Sequence, residues 1–182
     1  RVGAEVTAFK VGDKVVGMIP GSLASHALTD VRLIAKLPQQ FISNYSMECA
    51  AAIPTVFMTA YYALVELAAL KEGEAVLIHA AAGGVGQAAI QIAQHLGAVI
   101  YVTAGSEAKQ NHLKHQGIHH IYSSRTTDFA DSILKDTKNH GVDVVLNWLS
   151  GAGFIEASLQ CCAKNARFCE IGKRDMWSAE EI

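Results

Sequence analysis

The chain has 182 residues, 51% of them hydrophobic and 18% charged, with a formal net charge of −2 and a pI near 6.5. It can bury one good core and part of a second lobe. It lacks the basic surface that nucleic acid or an acidic bilayer would demand, and its short apolar runs argue against disorder and against a span of about 18 apolar residues.

Four cysteines, Cys49, Cys161, Cys162 and Cys169, form no C-x-x-C pair. The histidines His112, His115, His119 and His120 lie in polar stretches with no cysteine or carboxylate at ligand spacing. We therefore expect no metal site, and reduced thiols in a cytoplasmic protein. We expect no signal peptide. The chain opens on Arg1 inside a strand-like pattern, which suggests a piece of a longer protein.

In chain order, residues 1–38 read as β structure. Val11 to Gly17 is a turn feeding a short strand, Pro20-Gly21 is a second turn, and His26 to Leu37 alternates loosely up to Pro38. No partner strands for this piece are evident further along. From Ser46 the pattern turns helical, Pro54 interrupts it, and Thr55 to Leu70 continues as an alanine-rich helix closed by Lys71-Glu72-Gly73-Glu74.

An alternation follows. Ala75 to Ile78 is a buried strand. Val85 to Leu96 is a helix with Val85, Ala88, Ala89, Ile92, Ala93 and Leu96 on one face, stopped by Gly97. Val99–Val102, Ile121–Tyr122, Val142–Leu146 and Ala166–Glu170 read as further strands. Glu107–Gln116, Phe129–Asn139 and Phe154–Cys162 read as further helices. Strand and helix at this spacing predict an α/β fold with a doubly wound parallel sheet of the Rossmann type.

The sharpest motif is Ile78-His79-Ala80-Ala81-Ala82-Gly83-Gly84-Val85-Gly86. Set against G-x-G-x-x-G it aligns Ala81, Gly83 and Gly86, between a predicted strand and a predicted helix. The middle glycine lets the backbone approach a pyrophosphate, the last lets helix and strand pack closely, and the helix N-terminus offers N–H groups to phosphate. Ala81 stands where the first glycine is usual, and a small residue there can still make the turn.

The end of the second strand, Val102-Thr103-Ala104-Gly105-Ser106, lacks the acid that would accept hydrogen bonds from the ribose 2′-hydroxyl of NADH. Glu107 opens the next helix, where its charge suits the N-terminus. Lys109, Ser124 and Arg125 supply bases and a hydroxyl suited to a 2′-phosphate. Lys109 and Arg125 read equally well as surface charges one at a time. The missing acid decides for NADPH.

Several stretches together resemble the enoylreductase domain of modular polyketide synthases and, more distantly, that of animal fatty acid synthase. They are Val11-Gly12-Asp13-Lys14-Val15 with Ala24-Ser25-His26, Ala50-Ala51-Ala52-Ile53-Pro54, and Thr59-Ala60-Tyr61-Tyr62-Ala63-Leu64. The glycine motif through Ala89, Ser123-Ser124-Arg125, Gly141 to Asn147, and Glu170-Ile171-Gly172-Lys173 complete the set.

The resemblance implies a zinc-independent medium-chain reductase with a GroES-like substrate lobe, partly present as residues 1–45, and a Rossmann-type NADPH-binding domain, residues 46–182. It implies reduction of a trans-2-enoyl thioester on an acyl carrier protein, by hydride to the β-carbon and a proton to the α-carbon. The expected partners are that substrate and neighbouring synthase domains, with a homodimer among the arrangements allowed and no nucleic acid or membrane.

Family comparison marks Thr59, the Gly83-Gly84-Val85-Gly86 loop, Ser106, Lys109, Arg125, Asn147 and Gly172 as cofactor positions, and Lys173 as a proton donor or enolate stabiliser. A structural or solvated lysine is the other reading of Lys173. Trp148 replaces a small residue usual in the family, and Gly151-Ala152-Gly153 lacks its frequent acid. The start of the substrate lobe and the last strands of the cofactor lobe are expected to be missing. Two further readings stay open: a free-standing quinone or enone reductase, which also uses NADPH, and a degenerate nucleotide-binding scaffold.

Overall fold

The computed structural model describes residues 1–173, which divide by contacts into two compact units that part after Met58. In the first unit, β1 (Val15–Gly17) pairs antiparallel with β2 (Ile34–Lys36), Val16 opposite Ala35. Asp30 caps the 3-10 turn Val31–Leu33 and holds the Arg32 guanidinium, and Lys36 bridges to Asp13 at 2.9 Å. Most of residues 1–38 is irregular, so the β reading of that stretch shrinks to two three-residue strands.

Helices follow at α1 (Gln39–Asn44), α2 (Met47–Ala51), capped by Ser46, and α3 (Ile53–Tyr61). The helix breaks at Ala52, between α2 and α3, as expected around Pro54. Pro54 itself lies in the first turn of α3, where a missing N–H costs no bond. Helical structure then continues as a π-helical segment, Tyr62–Leu67, until Ala69 turns left-handed at φ 46°. Taken across that break, the run Met47–Leu67, 21 residues, is long and apolar enough to span a membrane by those two measures, contrary to expectation. Length and composition alone do not make it a span.

The second unit carries a five-stranded parallel sheet in the order β5-β4-β3-β6-β7. Its strands are β3 (Ala75–Ile78), β4 (Val99–Ala104), β5 (His120–Ser123), β6 (Val142–Asn147) and β7 (Cys162–Glu170). The linking helices are α4 (Gly84–His95), α5 (Glu107–His115), α6 (Phe129–Asp136) and α7 (Phe154–Gln160). Gly97 and Gly117 each follow a helix at φ 74° and 82°, a left-handed stop that a side chain would strain, whereas α6 ends at Asp136 with Lys138 and Asn139 left-handed after it. The doubly wound sheet is thus as expected, with boundaries shifted by a few residues.

Leu77, Tyr101 and Val145 on one sheet face pack against Phe129 and Ile133 of α6 and Ala157 of α7. The small residues Ala88, Ala89 and Ala93 of α4 are fully covered, and α4 packs on β3 and β4. The π-helical segment packs on α4, β6 and β7.

At the amino end of the sheet, Arg167 grips both oxygens of Glu74 and donates from Nε to Ala68 O at 2.9 Å. This hydrogen-bonded pairing lowers the Glu74 carboxyl from its ordinary value. Arg167→Ala strands the Ala68 carbonyl and the carboxylate together. We expect it to cost about 1–3 kcal/mol in urea unfolding. An unchanged midpoint would show the pair to be idle.

Candidate nucleotide-binding site

In this sheet the chain runs from β3 outward through β4 to β5, then returns to the other side of β3 for β6 and β7. The direction of winding therefore reverses between β3 and β6. In open α/β sheets a ligand crevice forms there, beyond the carboxyl ends of the strands. His79 N donates to Leu146 O at 3.2 Å, closing the floor of that crevice.

The glycine loop lies directly above. Ala81 N donates to Thr103 O at 2.9 Å, and Gly83 N donates to Ala80 O at 2.9 Å, forming a tight turn. The left-handed residue of this turn is Ala80, at φ 40°, not the aligned Ala81, which is wholly buried. Gly83 is the N-cap of α4 and no side chain caps the helix. The first-turn N–H groups of Gly84, Val85 and Gly86 have no acceptor within the helix, so they and the helix dipole suit an anion. A Cβ on Gly86 would stand 2.5 Å from Ala81 Cα and O. The cradle therefore requires glycine there.

On the β4–β5 side, Ser106 caps α5 by accepting from Lys109 N at 3.4 Å, and both residues are exposed. Arg125 donates from Nε to Gly105 O at 2.8 Å. A Cβ on Gly105 would meet Arg125 Nε at 3.0 Å and Ser124 Oγ at 3.2 Å. Gly105, Ser124 and Arg125 thus meet beyond the ends of β4 and β5, and the guanidinium, fixed at one nitrogen, keeps its other donors exposed.

On the β6–β7 side, Asn147 is wholly buried and pairs in register with Glu170. Its Nδ2 donates to Leu149 O and Glu170 Oε2, and its Oδ1 accepts from Leu149 N at 3.1 Å. Gly172 N donates to Glu170 Oε1, and a Cβ on Gly172 would lie 3.6 Å from Trp148 Cα. Trp148 is half-buried and Lys173 is exposed just after β7. Thr59 lies on α3.

Sequence reasoning quoted His79 and Glu170 without giving either a role. The His79 ring is wholly buried, with Nδ1 at 3.0 Å from Thr103 Oγ1 and Nε2 at 3.0 Å from Ser158 Oγ. Ser158 Oγ donates to Phe154 O, so it accepts from Nε2–H, and Thr103 Oγ1 donates to Nδ1 while accepting from Ala80 N. Burial pushes the imidazole pKa down to about 3, so the ring is neutral. The signal available in sequence was a histidine ending an apolar strand, which needs partners when buried.

Among the described residues, no three His, Cys, Asp or Glu side chains come together to hold a metal. Burial raises the Cys161 thiol to about 12 and the Cys162 thiol to about 11, which keeps both protonated.

Residues 84–182 match the family described as zinc-binding dehydrogenase. The chain is 48% identical over 178 residues to the mycocerosic acid synthase-like polyketide synthase of Mycobacterium tuberculosis, covering 97% of this chain and 8% of that protein. Among solved structures it is similar to the CurK enoyl reductase, at TM-score 0.87 and 45% identity, covering 98% of this chain and 52% of that one. It is also similar to the nucleotide-binding subdomain of the enoylreductase domain of PpsC from Mycobacterium tuberculosis, at TM-score 0.64 and 48% identity, covering 67% of this chain and 68% of that one.

The chain belongs to the enoylreductase domains of polyketide synthases, in the medium-chain dehydrogenase/reductase superfamily. The family is one of dehydrogenases and reductases, which implies a nicotinamide cofactor. The chain spans less than a tenth of the curated relative named above and about half of the CurK chain.

Proposed function

We propose that this chain holds NADPH and serves as the nucleotide-binding part of a zinc-independent enoyl reductase acting on trans-2-enoyl thioesters carried by an acyl carrier protein. The observation that carries the cofactor choice is Arg125, tied to Gly105 O beyond a β4 end that has no acid. The residues fit the group: the Gly83–Gly86 loop and the uncapped α4 N-terminus suit the pyrophosphate, and Ser106, Lys109, Ser124 and Arg125 suit the 2′-phosphate.

Bound there, the nicotinamide would supply hydride to the β-carbon of the enoyl group. Lys173, exposed after β7, is the residue we assign to the proton or to the developing oxyanion. Residues 1–45 belong, in this reading, to the substrate lobe, and neighbouring synthase domains in the cytoplasm deliver the substrate. Reduction of a crotonyl thioester by the synthase that carries the chain, followed by NADPH absorbance, tests the chemistry.

The cofactor choice has a simpler test. Titration of the chain with each nucleotide, followed by nucleotide fluorescence, should give a preference for NADPH over NADH. Lys109→Ala with Arg125→Ala should lower NADPH affinity at least tenfold, about 1.4 kcal/mol, and leave NADH nearly unchanged. Equal affinity of the parent chain for both nucleotides would reject the 2′-phosphate assignment.

A further inference from the structure

We infer that Glu170 is a positioning residue for the nicotinamide end of the site, an inference that rests on the dinucleotide reading above. The 2′-phosphate side lies beyond β4 and β5, and the pyrophosphate cradle beyond β3. The remaining half of a dinucleotide laid across the crevice therefore extends over the ends of β6 and β7. Two backbone segments form that end, the one leaving β6 at Trp148 and the one leaving β7 at Gly172.

Glu170 joins them. One carboxylate oxygen accepts from the buried Asn147 amide, and the other accepts from the Gly172 N–H. The Asn147 amide in turn spends its second hydrogen on Leu149 O and its oxygen on Leu149 N. Its polar atoms thus hold the loop in place, and Asn147 acts through that loop.

Both groups that meet Glu170 are donors, so the position needs two acceptor oxygens on one side chain, and an ionised carboxylate supplies them. Glutamine has the same shape but presents one NH2, which must face either Asn147 Nδ2 or the Gly172 N–H, donor against donor. The link between the two segments then opens while the apolar contacts of the sheet stay as they were.

The test separates the two ends of the nucleotide. The chain and its Glu170→Gln variant are titrated with 2′,5′-ADP, which reports only the adenine side, and with NADPH, whose nicotinamide emission reports how firmly the ring is held. Glu170→Gln should weaken NADPH about tenfold and reduce the emission gain of the bound ring, with 2′,5′-ADP affinity within about twofold of the parent. Unchanged NADPH affinity and emission would overturn the role of Glu170 and leave the dinucleotide reading standing. Equal losses for both probes, with a lowered unfolding midpoint, would make Glu170 a merely structural residue. Failure of the parent chain to bind 2′,5′-ADP would instead remove the dinucleotide reading, and this inference with it.

Discussion

Gly86→Ala should abolish measurable NADPH binding and cost the fold about 2–4 kcal/mol, whereas Gly83→Ala should lose binding with little cost to the fold. The contrast follows from what each new methyl group meets. At Gly86 it would lie 2.5 Å from Ala81 Cα and O and 2.7 Å from Ala81 C, all backbone atoms on the turn into α4. Nothing there can rotate away, so helix and turn must separate.

At Gly83 the nearest atom is Ala80 O at 3.3 Å, and the backbone, at φ −82° and ψ 171°, suits any residue. The added methyl asks Ala80 O to give by a few tenths of an ångström and, in the dinucleotide reading, crowds the loop that a pyrophosphate would approach. Urea unfolding and NADPH titration of the two variants decide the matter. Equal stability of both variants would mean that the turn is more pliant than its packing implies. Retained affinity in Gly83→Ala would mean that phosphate does not approach the loop.

The second large effect concerns acid. His79 is neutral in the fold, its pKa held near 3 by burial against an ordinary value of 6.5. Between those values the unfolded chain binds a proton that the folded chain refuses. Stability therefore rises with pH through this window and is lost as pH falls below about 6.5. From pH 7.5 to pH 5 this one group should remove about 2 kcal/mol of stability.

His79→Asn cannot titrate and should show a shallower pH slope by that amount, although it is less stable at pH 7.5 because Thr103 and Ser158 lose a partner. Urea midpoints at the two pH values measure the difference. Parallel slopes for parent and variant would mean that water reaches the ring.

Much of the second unit was legible because buried parallel strands are short apolar runs and glycines stop the helices between them. Ala75–Ile78 and Val142–Leu146 announced themselves in this way, and Gly97 and Gly117 ended the preceding helices, whereas α6 stopped at Asp136, ahead of Gly141. The glycine loop was legible because its spacing follows from local geometry.

Asn147 with Glu170, and Thr103 and Ser158 with His79, were not legible in the same way. Their partners lie 23 to 79 residues away and meet only through sheet register, for Asn147 with Glu170, or through the packing of neighbouring elements, for His79 with Thr103 and Ser158. The π-helical segment has no periodic signal of its own. The left-handed turn residue fell one place before the aligned position because Ala80 N is held by Thr103 from the neighbouring strand.

The central place of β3 bears on how the chain acquires its site in time. Pairing of β3 with β4 needs only the intervening α4, so that half can form early. The second neighbour, β6, arrives much later in the chain: the bond from Ala75 N to Asp143 Oδ2 joins residues 68 apart. Closing so long a loop is slow relative to hairpin or helix formation. The crevice thus cannot close until β6 joins β3, and a ribosome must release α5, β5, α6 and β6 before any nucleotide can find it.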